Sequence, residues 1–543
     1  MKNRTLYFGD NLEILRKKIP DESFDLIYLD PPFNSNRSYN VLFKEGLQDS
    51  PAQVHAFEDS WHWSHESVEN FEYLVSKTNA DISNLMQALE KMIGHNDMMA
   101  YLTMMAVRLI ELHRVLKKTG SLYLHCDPTA SHYLKIVLDA IFGKTNFRNE
   151  IIWKRSVPHN DAQKFGMQHD IIFYYAKADK YFWNRQFSPL SEDYIKNFYK
   201  HKDKEGRIYQ LTSITAPGGR GPKYEFLGVT RNWRYTKENM QKLYEQGLII
   251  QTSEGTVPRF KRYLDEQKGV TLQDLWDDIL PLQGQSSEYL GYTTQKPEKL
   301  LERIINASTK SGDWVLDPFC GCGTTVSVAE RLKRNWVGID VTALAINLIK
   351  RRLQDQFGLG AKQINVDGLP TDLTGAKELF KKDPFEFEYW ALDLIDAMPA
   401  QSKTKENMRG ADKGVDGVIT FHKKVIDGKI EYGKAIVQVK GGTVHRDDIA
   451  TLKSDVEREK ADAGIFITLE NPTKPMLQEI VDMGSFKAPI TGDFEFPKIQ
   501  ILTIEELLKG KIPQLPQGLV KPYHREAKAV KDENGNSQKS FII

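Results

Sequence analysis

Over residues 1–176, and again over 286–360, short apolar runs of strand length alternate with amphipathic stretches of helical period. Phe24-Asp25-Leu26-Ile27-Tyr28-Leu29 is one such run, and it stops at Asp30-Pro31-Pro32-Phe33. An apolar run ended by an acid and two prolines predicts a buried parallel strand that delivers a loop. Open α/β sheets bind ligands at that carboxyl end. Leu6-Tyr7-Phe8 likewise runs into Gly9-Asp10, with a helical pattern over 11–18 between the two runs. This predicts a βαβ unit with Asp10 and Asp30 at one sheet edge. From Met98, the apolar positions Leu102, Met105, Leu109, Leu112 and Leu116 mark one face of a helix, which Gly120 is expected to end. Strands follow at 121–125, 149–153 and 170–175. Residues 44–97, with Trp61 and Trp63 and a helix around 82–92, read as an insertion packed on the core.

The rhythm is lost over residues 177–285, which are polar, glycine-punctuated and rich in Trp, Tyr, Arg and Lys. Such a stretch suits an inserted substrate-reading region better than a sheet core. The rhythm returns with a helix bearing Leu300, Leu301, Ile304 and Ile305, then a strand at 314–317. Pro318-Phe319-Cys320-Gly321-Cys322-Gly323-Thr324-Thr325 follows, then a helix and the strand Trp336-Val337-Gly338-Ile339-Asp340. A strand, a Gly-rich turn, a helix and a second strand ending in an acid about 20 residues on suit a cofactor with a ribose. The turn is not G-x-G-x-x-G, which argues against a nicotinamide cofactor.

A polar connection over 361–384 leads to a second α/β unit over 385–510, with helices at 385–395 and 447–460 and strands at 435–440 and 464–468. Gly414-Val415-Asp416-Gly417 stands at one strand start, and Gln438-Val439-Lys440 ends a neighbouring strand. Alternation puts Gln438 and Lys440 on one face. Asp416 with the Gln438 oxygen is suited to hold Mg2+, and Lys440 to orient a water for phosphodiester attack. Residues 511–543 read as a disordered tail.

Composition narrows the picture. A chain of 543 residues, 40% hydrophobic and 27% charged, is that of a globular protein of two to four domains. No apolar run approaches the ~20 residues of a membrane span. The start lacks the apolar core of a signal peptide, so the cytoplasm is the expected compartment. Three cysteines argue against a disulfide framework, and Cys320 and Cys322 lack a second ligand pair at zinc spacing. A formal net charge of +1 does not announce nucleic-acid binding. Basic residues do collect between Lys196 and Lys237, a pattern that a solvated face explains as well as a phosphate-binding one.

The chemistry suited to the Asp30 loop is transfer to an exocyclic amino group, whose lone pair is delocalised into its ring. A carboxylate accepting one amino hydrogen, beside a carbonyl accepting the other, favours a pyramidal nitrogen with its lone pair free. Asp30-Pro31-Pro32-Phe33 resembles the Asp-Pro-Pro-Tyr/Phe motif of amino-group DNA methyltransferases. Gly9-Asp10, His169-Asp170-Ile171-Ile172, Trp276-Asp277-Asp278-Ile279, Gln295-Lys296-Pro297 and the 317–325 loop complete the resemblance. With the amine strand first and the cofactor loop last, residues 1 to about 355 resemble the β class of that family. The resemblance implies a circularly permuted, Rossmann-like methyltransferase sheet over 1–176 and 286–360, with a target-recognition region over 177–285. It implies that Asp30 and the Pro31 or Pro32 carbonyl orient the amine while Phe33 stacks on a flipped base. It also implies that Asp317, Phe319, Gly321, Gly323 and Thr324 surround S-adenosylmethionine and that Asp340 takes its ribose. Lys296 would lie near its methionine end, and Asp10 near its adenine. Aspartate at the first motif position looks like the adenine-modifying members, with N4-cytosine methylation as the alternative. The 385–510 unit resembles the Mrr-like branch of the PD-(D/E)xK restriction endonucleases, which assigns Asp416 and Gln438 to a metal and Lys440 to catalysis. A nuclease fold that only grips DNA is the alternative. Double-stranded DNA is the implied partner. A homodimer stays open, and so does a separate restriction or translocation subunit.

Overall fold

The computed structural model describes residues 1–32, 38–45, 48–58, 62–157, 164–283, 286–290, 292, 294–400, 414–426 and 429–516. Phe33, Trp61 and most of the expected tail lie outside them. The apolar runs build a mixed sheet of nine strands: β1 Thr5–Phe8, β2 Phe24–Leu29, β3 Leu116–Cys126, β4 Phe147–Lys154, β5 His169–Ala176, β6 Leu275–Trp276, β7 Trp314–Asp317, β8 Asn335–Asp340 and β9 Asn365–Asp367. Their order across the sheet is β6-β4-β5-β3-β2-β7-β8-β1-β9. All run parallel except β5, which is antiparallel to both its neighbours. The βαβ expectation for β1 and β2 therefore needs correction. They share one sheet edge, but β7 and β8 stand between them, because β1 pairs with β8 (Thr5↔Val337) and β9 rather than with β2.

Helix α1 (Asn11–Lys18) follows β1. Helix α2 (Asp97–Val115) buries the apolar stripe expected of it against the sheet. Gly120 does not end that helix. Leu116 turns extended to pair with Phe24, and Gly120 lies inside β3. The insertion contributes a hairpin, Ser38–Glu45 with Gln48–Glu58, and two helices, His65–Lys77 and Ala80–Ile93. Leu74, Ile82, Met86 and Leu89 join the core under α2, so these helices pack on the domain as the pattern suggested.

Residues 185–273 form a separate compact unit. In it Ile208–Ser213 pairs antiparallel with Arg259–Tyr263 over a core of Ile214, Phe226, Trp233, Met240 and Ile249. The Trp233 indole N–H donates to the Tyr224 carbonyl at 2.8 Å, which satisfies the polar edge of a ring that is otherwise wholly buried.

Helices α3 (Glu298–Ser308), α4 (Thr324–Arg331) and α5 (Ala343–Phe357) flank the last strands of the large sheet. Residues 361–384, expected to be a connection, instead supply edge strand β9 and helix α6 (Leu373–Lys382), whose Ala376 and Leu379 are buried. Helix α7 (Pro384–Asp393) follows, capped by Asp383. The C-terminal sheet orders β10 (Met398–Pro399), β11 (Gly417–Ile426), β12 (Lys429–Lys440), β13 (Ala463–Thr468) and β14 (Ile499–Thr503) side by side. Helix α8 (Arg446–Arg458) joins the parallel pair β12 and β13. Phe387, Trp390, Phe421, Val437 and Ile465 fill its core. Ala343, the first residue of α5, belongs to the same cluster, and Phe8 and Leu369 pack against it. The Ala343 amide donates to Glu386 at 3.0 Å, and Arg351 pairs with Asp393 at 3.4 Å. Among the described residues no helix is long and apolar enough to cross a membrane.

Candidate active sites

The carboxyl ends of β1, β2, β7 and β8 surround a cavity of about 290 Å3. Asp10, Asp30, Pro31, Pro32, Lys296, Asp317, Phe319, Gly321, Thr324 and Asp340 all line it, though they come from segments more than 300 positions apart in the chain. Gly323 does not. It caps α4 at φ 74°, and a Cβ there would lie 2.7 Å from Ile349 Cγ1, so this glycine is fixed by packing beneath the turn. Phe33 lies outside the described residues.

Asp30 is the mostly buried acid at the end of β2. Lys296 donates to its Oδ2 and, at 3.3 Å, to the Thr294 carbonyl. The preceding residue, Gln295, is anchored by its side-chain amide, which accepts from Leu290 N at 2.8 Å and donates to the Glu288 carbonyl at 2.6 Å. Lys296, expected near the cofactor's methionine end, is thus paired with the proposed amine acceptor. Asp30 Oδ1 is buried and accepts no hydrogen bond among the described residues. Behind it stands His125, fully buried, with Nδ1 3.9 Å from Asp30 Oδ1 and 2.9 Å from the Tyr28 hydroxyl. Its Nε2 lies 3.1 Å from Asp170 Oδ2, and Arg155 Nε lies 3.2 Å from Asp170 Oδ1. Burial opposes ionisation of Asp170, but the His125 hydrogen bond and the nearby cations hold its carboxyl below the usual range. Burial, with Asp30 next to it, drives the Tyr28 phenol well up.

On the other wall, Asp340 accepts from Gly321 N at 2.9 Å and from Thr342 N at 3.0 Å, which ties the Gly-rich turn to the end of β8. Gly321 adopts φ 47°. Asp317 accepts from Phe319 N at 3.1 Å, and burial beside Asp30 and Asp340 pushes its carboxyl up to about 7. Asp10 caps α1 through Leu12 N at 2.9 Å and pairs with Arg108 at 2.5 Å. Arg108 also donates to Asn11 at 2.6 Å, and Asn11 donates to the Pro318 carbonyl at 2.8 Å. Sequence reasoning missed Arg108 and His125. The signal for Arg108 was a guanidinium set among the apolar positions of α2. S-adenosylmethionine fits this cavity. The turn admits close backbone approach at Gly321, and Asp317 and Asp340 complement a ligand bearing a sulfonium and an ammonium.

At the C-terminal sheet, Asp416 N donates to the Val437 carbonyl at 2.9 Å and Val439 N donates to Asp416 Oδ2 at 2.7 Å. Asp416 therefore sits beside the Gln438 position, across the β11–β12 pairing. The Gln438 amide nitrogen donates to the Gly414 carbonyl and, at 2.7 Å, to Asp455 Oδ2. Lys440 pairs with Asp448 of α8. Among the described residues no group of three or more His, Cys, Asp or Glu is placed to hold a metal. One carboxylate with one amide oxygen still fits Mg2+, which keeps several waters and takes few protein ligands besides substrate phosphate. Sequence reasoning named Asp416, Gln438 and Lys440 as candidates and passed over Asp448 and Asp455, which contact Lys440 and Gln438.

Residues 24–351 match the DNA methylase family, and residues 379–487 match a restriction endonuclease family. The chain is 28% identical to the type II methyltransferase M.EcaI of Enterobacter cloacae over 386 residues, 70% of this chain and 74% of that one. It is 27% identical to the Mod subunit of the type III restriction-modification enzyme StyLTI of Salmonella typhimurium over 344 residues, 60% of this chain and about half (49%) of that subunit. Against the DNA adenine methyltransferase YhdJ of Escherichia coli it is 24% identical over 361 residues, 66% of this chain and 86% of the relative. With more than half of its length in that match, the chain belongs to the DNA methylase family and carries a C-terminal domain of restriction-endonuclease type.

Proposed function

We propose that the protein methylates the N6 amino group of an adenine flipped out of duplex DNA, and that its C-terminal domain cleaves DNA with Mg2+. The observation that carries the first half is Asp30 Oδ1, a buried acceptor with no donor among the described residues, on a residue that lines the cavity suited to the cofactor. A buried acceptor without a partner is costly, and an amino hydrogen of the target base would satisfy it. When bound, the cofactor supplies a methyl group on a sulfonium, a leaving group that departs as a neutral thioether. Asp30 Oδ1 accepts one amino hydrogen, and the Pro31 or Pro32 carbonyl takes the other. The nitrogen lone pair is then aimed at the methyl carbon, and the surplus proton leaves the nitrogen after attack. Phe319, Gly321, Thr324, Asp317 and Asp340 would hold the cofactor. Asp10, committed to Arg108, would shape its adenine end rather than bond it freely. Residues 177–285 would read the target sequence by side-chain contact with base edges.

Adenine is favoured by aspartate at position 30 and by likeness to a relative named as a DNA adenine methyltransferase. N4-cytosine methylation needs the same geometry. Digesting DNA methylated by the purified chain to nucleosides should yield N6-methyladenine. N4-methylcytosine instead would overturn the adenine assignment. Asp30→Ala should lower methylation by at least about 100-fold, the scale on which a transition-state hydrogen-bond partner acts, while cofactor binding persists. The expected workplace is the cytoplasm, where chromosomal and invading DNA are met. Association with a second copy or a translocating subunit is a matter for mass measurement on DNA.

A further inference from the structure

We infer that Asp455 is a positioning residue for the C-terminal site. It holds the Gln438 amide with its nitrogen turned inward and its oxygen left for a cation, and this makes glutamine, not glutamate, the side chain the site accepts at 438. The inference rests on the reading of Asp416 and Gln438 as cation ligands.

Two groups face the inner end of the Gln438 side chain, the Gly414 carbonyl and the Asp455 carboxylate, and each can only accept. Only the amide –NH2 offers two donors, so the hydrogen-bond network itself fixes which end points inward. Asp455 is 3% exposed and is further anchored by Arg458 Nη1 at 2.5 Å. A flipped amide would take the donor from the Gly414 carbonyl and from buried Asp455 Oδ2, and set its own oxygen against both acceptors. The surroundings allow little adjustment. Gly414 adopts φ 72°, and a Cβ there would lie 2.6 Å from Asp455 Oδ2 and 3.2 Å from the Gln438 nitrogen. Ile449, Leu452 and Val456 bury the inner face of α8 and fix where its acids stand.

The pairing has a regular form. Asp448 and Asp455, seven positions apart on α8, lie two turns along one side of the helix. They address Lys440 and Gln438, two positions apart on one face of β12. One helix thus sets both side chains of the Gln-x-Lys pair.

A negative charge at 438 would, by simple attraction, tighten cation binding. The geometry points the other way, because a carboxylate there would face Asp455 and the Gly414 carbonyl with no proton to give either. The test is Mn2+ titration of the full-length protein by calorimetry, with thermal unfolding of the same samples. Asp455→Ala, which leaves no acceptor for the Gln438 amide, should weaken Mn2+ binding by about 10- to 100-fold, the usual cost of losing a partner that orients a ligand. Gln438→Glu should bind Mn2+ more weakly than wild type and unfold at a lower temperature. Adding Asp455→Asn to it should recover part of both losses, since the new amide can donate to the new carboxylate. Tighter Mn2+ binding by Gln438→Glu, or unchanged binding by Asp455→Ala, would overturn the inference. Asp416→Ala separates the two readings. Wild-type binding equal to that of Asp416→Ala defeats the cation site itself. Even then, a Gln438→Glu unfolding temperature equal to wild type would independently defeat the coupling to Asp455.

Discussion

The two candidate sites on this chain lie at the ends of sheet strands, yet they hold their polar groups in opposite ways. In the cavity suited to the cofactor an acceptor is left waiting: among the described residues Asp30 Oδ1 is buried with no donor, while Lys296 pairs with Oδ2. At the C-terminal site Lys440 is paired with Asp448, Asp416 with a backbone amide and the Gln438 amide nitrogen with Asp455, which leaves the Gln438 oxygen as the group kept for a cation. An unpaired buried acceptor raises the energy of the empty state and favours whatever donor arrives. A paired group gains less from its ligand, because each new contact replaces an old one. The first arrangement suits an activity that runs whenever its substrate is present. The second suits one that waits for DNA and cation together.

The contrast breaks outright if the second site does no chemistry. Incubated with unmethylated plasmid and Mg2+ but no S-adenosylmethionine, the wild type should cut and Lys440→Ala should not, a loss of at least about 100-fold on the scale of a missing catalytic group. Methylation by the Lys440→Ala form should be unchanged. A plasmid left intact by both would make the C-terminal domain a DNA clamp.

A smaller effect sharpens the description of the cavity. Burial raises the Asp317 carboxyl to about 7, so between its ordinary value near 4 and that point the folded chain holds a proton the unfolded chain has released. Its contribution to stability is therefore largest at low pH and is lost as pH rises through about 7. Asp317→Asn should flatten that part of the pH dependence, seen as a smaller drop in Tm between pH 5 and pH 8 than in wild type. An unchanged slope would mean that Asp317 is ionised throughout.

The smallest effect concerns the parked lysine. Asp448→Asn keeps an acceptor for His445 N and removes the charge that holds Lys440. The pair is partly exposed, so plasmid cleavage should rise by no more than about tenfold. A fall in rate would place Asp448 in the chemistry and remove the contrast on which the comparison rests.

Local signals carried most of the fold. Strands β2, β3, β7 and β8 and helix α1 follow from apolar runs, terminal acids and period, all written within a few residues. The misses share a cause. Nothing near residue 5 says that β1 pairs with residues 335–340 instead of with β2. Gly120 looked like a helix end because the pairing of Leu116 with Phe24 is made across more than 90 positions. Residues 361–384 looked like a connection because β9 has only three residues and α6 only a narrow buried stripe. The candidate residues divide the same way. Asp30, Asp317, Asp340, Asp416 and Lys440 stand in compact motifs, whereas Arg108, His125 and Asp455 gain meaning only from partners on other elements.

The cluster that takes in Ala343, Phe8 and Leu369 together with Phe387 and Trp390 has a consequence for how such a gene can change. A nonsense mutation that deleted the C-terminal domain would strip this apolar cover from the carboxyl edge of the sheet bearing Asp340. The truncated protein would meet water there with hydrophobic surface. On our reading of the two halves, a cell could not readily discard the cutting half and keep a sound protecting half. Selection would act on them as a single inherited trait.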